Sequence, residues 1–381
     1  MKRTILFVFL LCLFSFCVYA EDLQTQTAGT AGATALPDIS LVGNILGGIA
    51  QQPDGPYGVI PNADRLSLGT SEVEAVIAGY IYPQASVSTV LSFDSSGVNI
   101  EEAFADFLSV LNSFSLKVGK MKAEFGKINI LHSHVWPYTD APLVIQNFFG
   151  DSLTGEGISL GYVLPFPVFV KSETGIYDAV DTNGEFVLDQ ELFTERLSIS
   201  FDPTDESELE LGASGALTKG PYGLGSNDIS GNGEELQIGK DDVRIAGVDL
   251  TLKIWTGTYS RFMLQAEAIY LKRDIAGTIE QGPSGNETIG EEEAASLDRW
   301  GSYAYAGYSF SKYLDIGGRY DWAENADIQI NKLSKISAIV TERLTEGSFF
   351  REEYGYIPEE KSNELLLQFV FGIGPHTHPL Q

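Results

Sequence analysis

Thiols, imidazoles and positive charge are all scarce in this sequence. Two cysteines occur in 381 residues. Both, Cys12 and Cys17, lie in the opening stretch MKRTILFVFLLCLFSFCVYA, where Lys2 and Arg3 precede an apolar run that ends on the small Ala20. That is the layout of a secretory leader, residues 1–20, cleaved near Ala20. Large residues, Leu11 and Phe16, precede the two cysteines, where a lipidated leader would carry a small one. From residue 21 onward no cysteine remains, which excludes a disulfide framework, a thiolate metal site and a cysteine nucleophile.

Basic residues number 24 against 52 acidic ones, and the leader takes two of the 24, so the formal charge of −28 becomes −30. Nucleic acid is excluded as a partner by that balance. After the leader no apolar run reaches the ~18 residues of a transmembrane helix. The nearest, GYVLPFPVFV at 161–170, is cut by Pro165 and Pro167. The G-x-G-x-x-G, P-loop, H-E-x-x-H and G-x-S-x-G patterns are absent as well, and the reading is of a non-enzyme. Neither an internal repeat nor a dividing linker is visible.

What the sequence does have is period-two alternation from end to end. ASVSTVLSF places Ala85, Val87, Thr89, Leu91 and Phe93 on one face. RLSISF does the same with Leu197, Ile199 and Phe201, and RFMLQAEAIYL with Phe262, Leu264, Ala266, Ala268 and Tyr270. These read as strands with two unlike faces. In LDIGGRYDW the apolar face holds Leu314, Ile316, Gly318, Tyr320 and Trp322, and the other holds Asp315, Gly317, Arg319 and Asp321. A soluble sandwich also alternates, but a charged face opposite bulky aromatics suits a barrel wall with a polar interior.

Two further features point to a barrel. Aromatics gather at strand ends, as at Tyr80 and Tyr82, Trp255 and Tyr259, Trp300 and Tyr303, and Phe349 and Phe350, in the manner of interfacial girdles. Tight connections at Pro83–Gln84 and Ser309–Lys312 alternate with long polar ones at 218–242 and 273–299, the asymmetry that distinguishes the two rims of such a barrel. The expected architecture is all-β: a transmembrane antiparallel barrel of about 16 strands, within 14 to 18, over residues 39–381. A flexible periplasmic segment over residues 21–38 is expected before it.

Four histidines form two H-x-H pairs, His132 with His134 in ILHSHVWPYTDAPLVIQNFFG and His376 with His378 in GPHTHPLQ. In extended chain, residues two apart share a face about 6.6 Å apart, so both imidazoles of a pair can meet one metal ion. Asp140 is a candidate third ligand. The same stretch carries Trp136, Tyr138, Asp140, Phe148 and Phe149 between Pro137 and Pro142, and is expected to fold inward as a pore constriction. The acidic segment 274–298 reads as a solvated outer loop. DAVDTNGEFVLDQE at 178–191 fails as a calcium loop, because Ala179 and Gln190 fall on ligand positions.

SLKVGKMKAEFGKIN, residues 115–129, resembles the G-K-x-K-x-x-F-G strand segment of the phosphate-selective porin O and P family of outer-membrane barrels. With LHSHVWPYTDAPLVIQNFFGD, GEGISLGYVLP and the closing LLLQFVFGIGPHTHP, the chain is similar to a subgroup described as zinc-regulated TonB-dependent outer-membrane receptors. The resemblance implies an integral outer-membrane barrel that passes or takes up small hydrophilic solutes or metal ions. It needs no cofactor, although Zn²⁺ or another divalent cation is a candidate ligand. The implied partners are outer-membrane lipid and lipopolysaccharide, together with further copies of the chain in a homo-oligomer. A TonB-dependent receptor needs a plug domain ahead of a 22-stranded barrel, and 21–38 is too short for one. Anion selection calls for rings of Lys or Arg. Lys117, Lys120, Lys122 and Lys127 are a candidate lumenal basic patch, but the overall acidity favours cations. A channel is therefore expected, with a non-conducting metal-capture or receptor barrel as the alternative.

Overall fold

The computed structural model describes residues 37–50, 66–94, 97–111, 113–150, 152–180, 186–219, 234–237, 242–275, 278–281, 288–292, 295–324, 332–345 and 347–374. The leader, residues 21–36 and both His376 and His378 lie outside them.

The strands in chain order are β1 (Asp38–Ala50), β2 (Ser67–Tyr82), β3 (Ala85–Asp94), β4 (Gly97–Leu111), β5 (Phe114–Lys122), β6 (Thr154–Leu164), β7 (Phe169–Val180), β8 (Phe186–Thr204), β9 (Ser207–Lys219), β10 (Glu234–Gln237), β11 (Asp242–Trp255), β12 (Arg261–Ile275), β13 (Thr278–Gln281), β14 (Thr288–Glu292), β15 (Ala295–Ser309), β16 (Leu314–Glu324), β17 (Lys332–Thr345), β18 (Ser348–Ile357) and β19 (Ser362–Ile373). Among the described residues sixteen of them form one closed antiparallel ring, sealed where β1 pairs with β19. The three short strands β10, β13 and β14 make a separate sheet. Parts of 218–242 and 274–298 thus pair as strands instead of remaining open loop. Closure is what allows such a wall to stand in lipid, because every ladder group finds a partner and no edge is left.

The faces are inverted relative to a soluble sandwich. In β16, Ile316 and Tyr320 are 44% and 49% exposed while Arg319 and Asp321 are 2% and 0% exposed. Apolar side chains such as Ile158, Ile176, Val248 and Ile336 are exposed on the outer face. Substituting Arg for Val248, which is 59% exposed on the outer face of β11, is expected to destabilise the lipid-inserted barrel by about 2–4 kcal/mol if the site lies near the bilayer midplane. Urea unfolding from lipid vesicles measures it.

Tyr80, Tyr82, Tyr259, Phe310 and Tyr313, at the end with the short turns, are exposed, as a girdle requires. Tyr303 and Phe349, also assigned to the girdle by sequence, are instead 2% and 6% exposed. Period two sends both into the lumen: Tyr303 has the parity of Arg299 and Tyr305, and Phe349 that of Arg351.

Candidate functional site

The lumen is occupied. Between β5 and β6 the chain leaves the wall at Ala123 and returns at Leu153, and residues 124–150 fold into the barrel. Asn129 ties the neck. Its side-chain amide donates to the carbonyls of Ala123 (2.8 Å) and Leu153 (3.0 Å) and its oxygen accepts from Leu153 N–H (2.7 Å). Gly126 turns the chain with φ +60°, where a Cβ would collide with the Glu267 carboxylate, so a residue with a side chain is disfavoured on both counts. A 3₁₀ turn follows at Ser133–Val135, then α1 (Leu143–Phe149), started by Pro142 and stopped by Gly150 at φ 72°.

This segment packs against the wall as a soluble core would. Phe125, Ile128, Trp136, Tyr138, Phe148 and Phe149 share one buried cluster with the inward residues Leu192, Ile245, Ile269, Leu271, Tyr303 and Tyr305. Phe125 and Phe149 meet edge to face at 5.4 Å, and Tyr138 meets Tyr303 and Tyr305 in the same way at 5.9 Å. Trp136, Tyr138, Phe148 and Phe149, expected to narrow a pore, are built into this core.

Polar contacts fasten the segment at three places. On the β9 and β12 side, Gly126 N–H donates to Ser214 Oγ (3.0 Å) and Ile128 N–H to Glu267 (2.8 Å), which also accepts from Tyr303 OH (2.9 Å).

On the β16 to β18 side, Asp140 receives Arg319 Nη2 at 2.6 Å and Lys335 Nζ at 2.7 Å. Arg319 also binds the Asp140 carbonyl and Asp321, each at 2.7 Å, and lies 4.3 Å over the Tyr138 ring. Thr139 N–H donates to Glu353 (2.8 Å), and Arg351 donates to the Tyr138 carbonyl (2.8 Å). Asp140 is therefore no ligand partner of His132. From the 3₁₀ turn the chain runs across the lumen and delivers it to the opposite wall.

Burial alone would raise the Asp140 carboxyl, but Lys335 and Arg319 outweigh it and hold it down to about 2. Since the folded value lies below that of the free side chain, the stabilisation is complete above about pH 4. It is lost as the pH falls through about 2. Amide hydrogen exchange around Thr139 should stay slow down to pH 4 and quicken toward pH 2.

The third fastening centres on His132, on the β2 and β4 side. Its Nδ1 lies 3.2 Å from Glu74 and 3.1 Å from Glu101, and its Nε2 lies 2.9 Å from Glu102. His134 stands 5.9 Å away, ring to ring, with Nδ1 3.5 Å from Glu74. Burial works against an imidazolium here, and so does Lys122, but hydrogen bonds to Glu101, Glu102 and Glu74 prevail and push His132 up to about 10. The two carboxylates of β4 come from consecutive residues, which ordinary alternation would place on opposite faces. The register slips between Val90↔Glu102 and Leu91↔Ile100, making Glu101 the extra residue of a β-bulge that turns both toward His132. Beside them is a cavity of about 90 Å³ lined by Glu72, Glu74, Glu101, Lys122, Asn129 and Trp136, among others.

None of Glu72, Glu74, Glu101 and Glu102 was singled out from sequence. The signal was present in the Glu101–Glu102 doublet, which breaks the alternation of β4. The expected basic patch is not assembled, because each lysine has its own partner: Lys117 with Glu124 (2.9 Å), Lys120 with the Ile100 carbonyl (2.7 Å), Lys122 with the Leu131 carbonyl (3.1 Å) and Lys127 with Glu210 (2.6 Å). Lys117 and Val118, as neighbours in β5, face opposite sides, and Lys120 shares the outward parity of Val118.

No family model matches the chain. An uncharacterized protein of Aquifex aeolicus (strain VF5) is 25% identical over 347 residues, covering 83% of this chain and 71% of that protein. Among solved structures, OmpT, an outer membrane protein of Vibrio cholerae, superposes with a TM-score of 0.56 at 10% identity over 93% of this chain and 100% of its own. An anion-selective porin from Comamonas acidovorans gives 0.55 at 10% identity over 89% and 100%. OprB of Pseudomonas putida gives 0.53 at 9% identity over 89% and 94%. The fold is the porin-like barrel of bacterial outer membranes. In this porin-like barrel the 123–153 segment lies within the lumen, fastened to the wall on the β9 and β12 side, the β16 to β18 side and the β2 and β4 side.

Proposed function

We propose that this porin-like barrel is an outer-membrane channel for small hydrophilic solutes, cation-preferring, and related to divalent metal through the His132 cluster. The observation that carries the reading is the inserted segment itself: a 16-stranded ring encloses enough space for an aqueous channel, and here that space is filled by one continuous piece of chain that polar contacts hold in place. The cation preference rests on the formal charge of −28 and on Glu72, Glu74, Glu101 and Glu102 beside the cavity, against Lys122. Zinc suits an imidazole with carboxylates, and it is also the metal attached to the subgroup whose segment 115–164 this chain resembles. The phosphate selectivity of the wider family finds less support, since its candidate lysines are each engaged by acids or carbonyls.

In this reading the leader is removed near Ala20, the apolar outer face meets lipid, the long connections face lipopolysaccharide, and copies of the chain associate as a homo-oligomer. A trimer form is described for OmpT of Vibrio cholerae. A planar bilayer holding residues 21–381 under a salt gradient tests the channel. The expected result is discrete steps with a reversal potential on the cation side, and an anion-side potential overturns the selectivity. A second reading, a metal-capture or receptor barrel that conducts nothing and depends on partner proteins, is favoured by the close packing of Tyr138 against Tyr303 and Tyr305. Stable insertion without conductance selects it.

A further inference from the structure

We infer that the His132 cluster is a divalent transition-metal site that fastens the inserted segment to the wall, so that metal occupancy holds the barrel shut. For its effect on conductance this rests on the channel reading above; the site itself does not.

Glu74 from β2, Glu101 from β4 and His132 from the inserted segment offer ligand atoms that all lie within 4.8 Å of one another. The two Nδ1 to carboxylate distances, 3.2 and 3.1 Å, approach the roughly 3.3 Å edge of a tetrahedron with bonds of ~2.0 Å. The other ring nitrogen is already assigned, since Nε2–H points to Glu102 at 2.9 Å. That is how a metal-bound imidazole is ordinarily oriented by a carboxylate behind it. Glu102 is thus a positioning residue, and the bulge that turns Glu101 inward without losing Glu102 supplies ligand and orienter from adjacent positions.

Charge distinguishes this fastening from the others. At Asp140 the acids Asp140, Asp321, Glu353 and Glu364 face Arg319 and Lys335, with Arg351 beside them on the Tyr138 carbonyl. Around His132 stand Glu72, Glu74, Glu101 and Glu102 with Lys122 as the cation among them. Counting the described residues, even a protonated His132 leaves a formal charge of −2, which a divalent ion at Nδ1 in place of the proton reduces to −1. The cavity leaves room for a fourth ligand such as water. The Trp136 indole N–H, on a residue 7% exposed, has no hydrogen-bond partner among the described residues, and Trp136 belongs to the cavity lining. It is a donor suited to the oxygen of that water. Hard cations such as Ca²⁺ take oxygen-rich sites, so a centre built around imidazole favours Zn²⁺ or its first-row neighbours.

The test uses the full mature chain in detergent and in bilayers, with Zn²⁺ as probe and EDTA to remove it. Glu101→Gln keeps size and fold while removing one ligand charge. Calorimetry should show one Zn²⁺ per barrel, weakened at least tenfold by Glu101→Gln, and a bound Zn²⁺ should slow amide exchange within 123–153 at least tenfold in the parent only. In bilayers Zn²⁺ should lower the open probability of the parent and leave Glu101→Gln unchanged. Absence of stoichiometric binding, or binding equal in both proteins, overturns the site. Binding without slowed exchange overturns the fastening. If the exchange effect is present and no conductance appears under any condition, the channel reading fails while the metal fastening stands.

Discussion

Excising residues 124–152 and closing the gap with a two-residue turn is expected to give a folded barrel whose conductance exceeds that of the parent at least tenfold. Lys122 and Thr154 are cross-strand partners, and Ala123 N–H already bonds the Leu153 carbonyl at 2.8 Å. The ends therefore need only an Asn-Gly hairpin connection. All sixteen ladders of the ring run outside the deletion, so closure, the condition for stability in lipid, is preserved. The deletion does wet Leu192, Ile245, Ile269, Leu271 and Tyr303, which are now at most 3% exposed. At ~25 cal/mol per Å² of apolar surface the variant should unfold at lower urea than the parent. Heat-modifiable migration on a gel reports folding and bilayer recording reports the pore. A folded variant with parental conductance would mean that something other than this segment limits passage.

Arg319→Met is expected to undock the segment without removing it. Arg319 is among the most buried side chains of the molecule and holds Asp140, Asp321 and the Tyr138 ring together. Its loss leaves four acids, Asp140, Asp321, Glu353 and Glu364, facing Lys335, and removing one partner of such a buried network costs about 3–5 kcal/mol. The wall does not need Arg319 for its ladder, so that loss should fall on the docked state. Amides of 136–145 should exchange orders of magnitude faster, and frequent long openings should appear in bilayers. Arg319→Lys should recover only part of the effect, because an ammonium cannot serve the Asp140 carbonyl, both carboxylates and the aromatic face at once. Combining Arg319→Met with Asp140→Asn should cost less than the sum of the two, since the second change removes a charge that the first left unmatched. Additive costs would mean that the pair does not act as a unit.

The wall was legible because period two is a local property. In β16 the sequence alone places Ile316 and Tyr320 opposite Arg319 and Asp321, and the strand count follows from repeating that reading. In sequence Tyr303 and Phe349 read as strand-end aromatics, yet their parity carries both into the lumen. The inward fold of 130–150 was legible from its prolines and aromatics, yet its depth was not. Asp140 looked like a partner of His134 six residues earlier, and only the path across the lumen shows that it belongs to Arg319 and Lys335, some 180 to 195 positions further along.

By itself the sequence determined an acidic chain, without cysteine after Cys17, of strands with one apolar and one polar face, because composition and alternation are written residue by residue. Only the tertiary structure decided which groups meet in the lumen. Barrel closure brings β2, β4 and the inserted segment around His132, and β16, β17 and β18 around Asp140. Those meetings depend on ring order, on strand register and on a single bulged residue, Glu101, none of which is encoded at any one position.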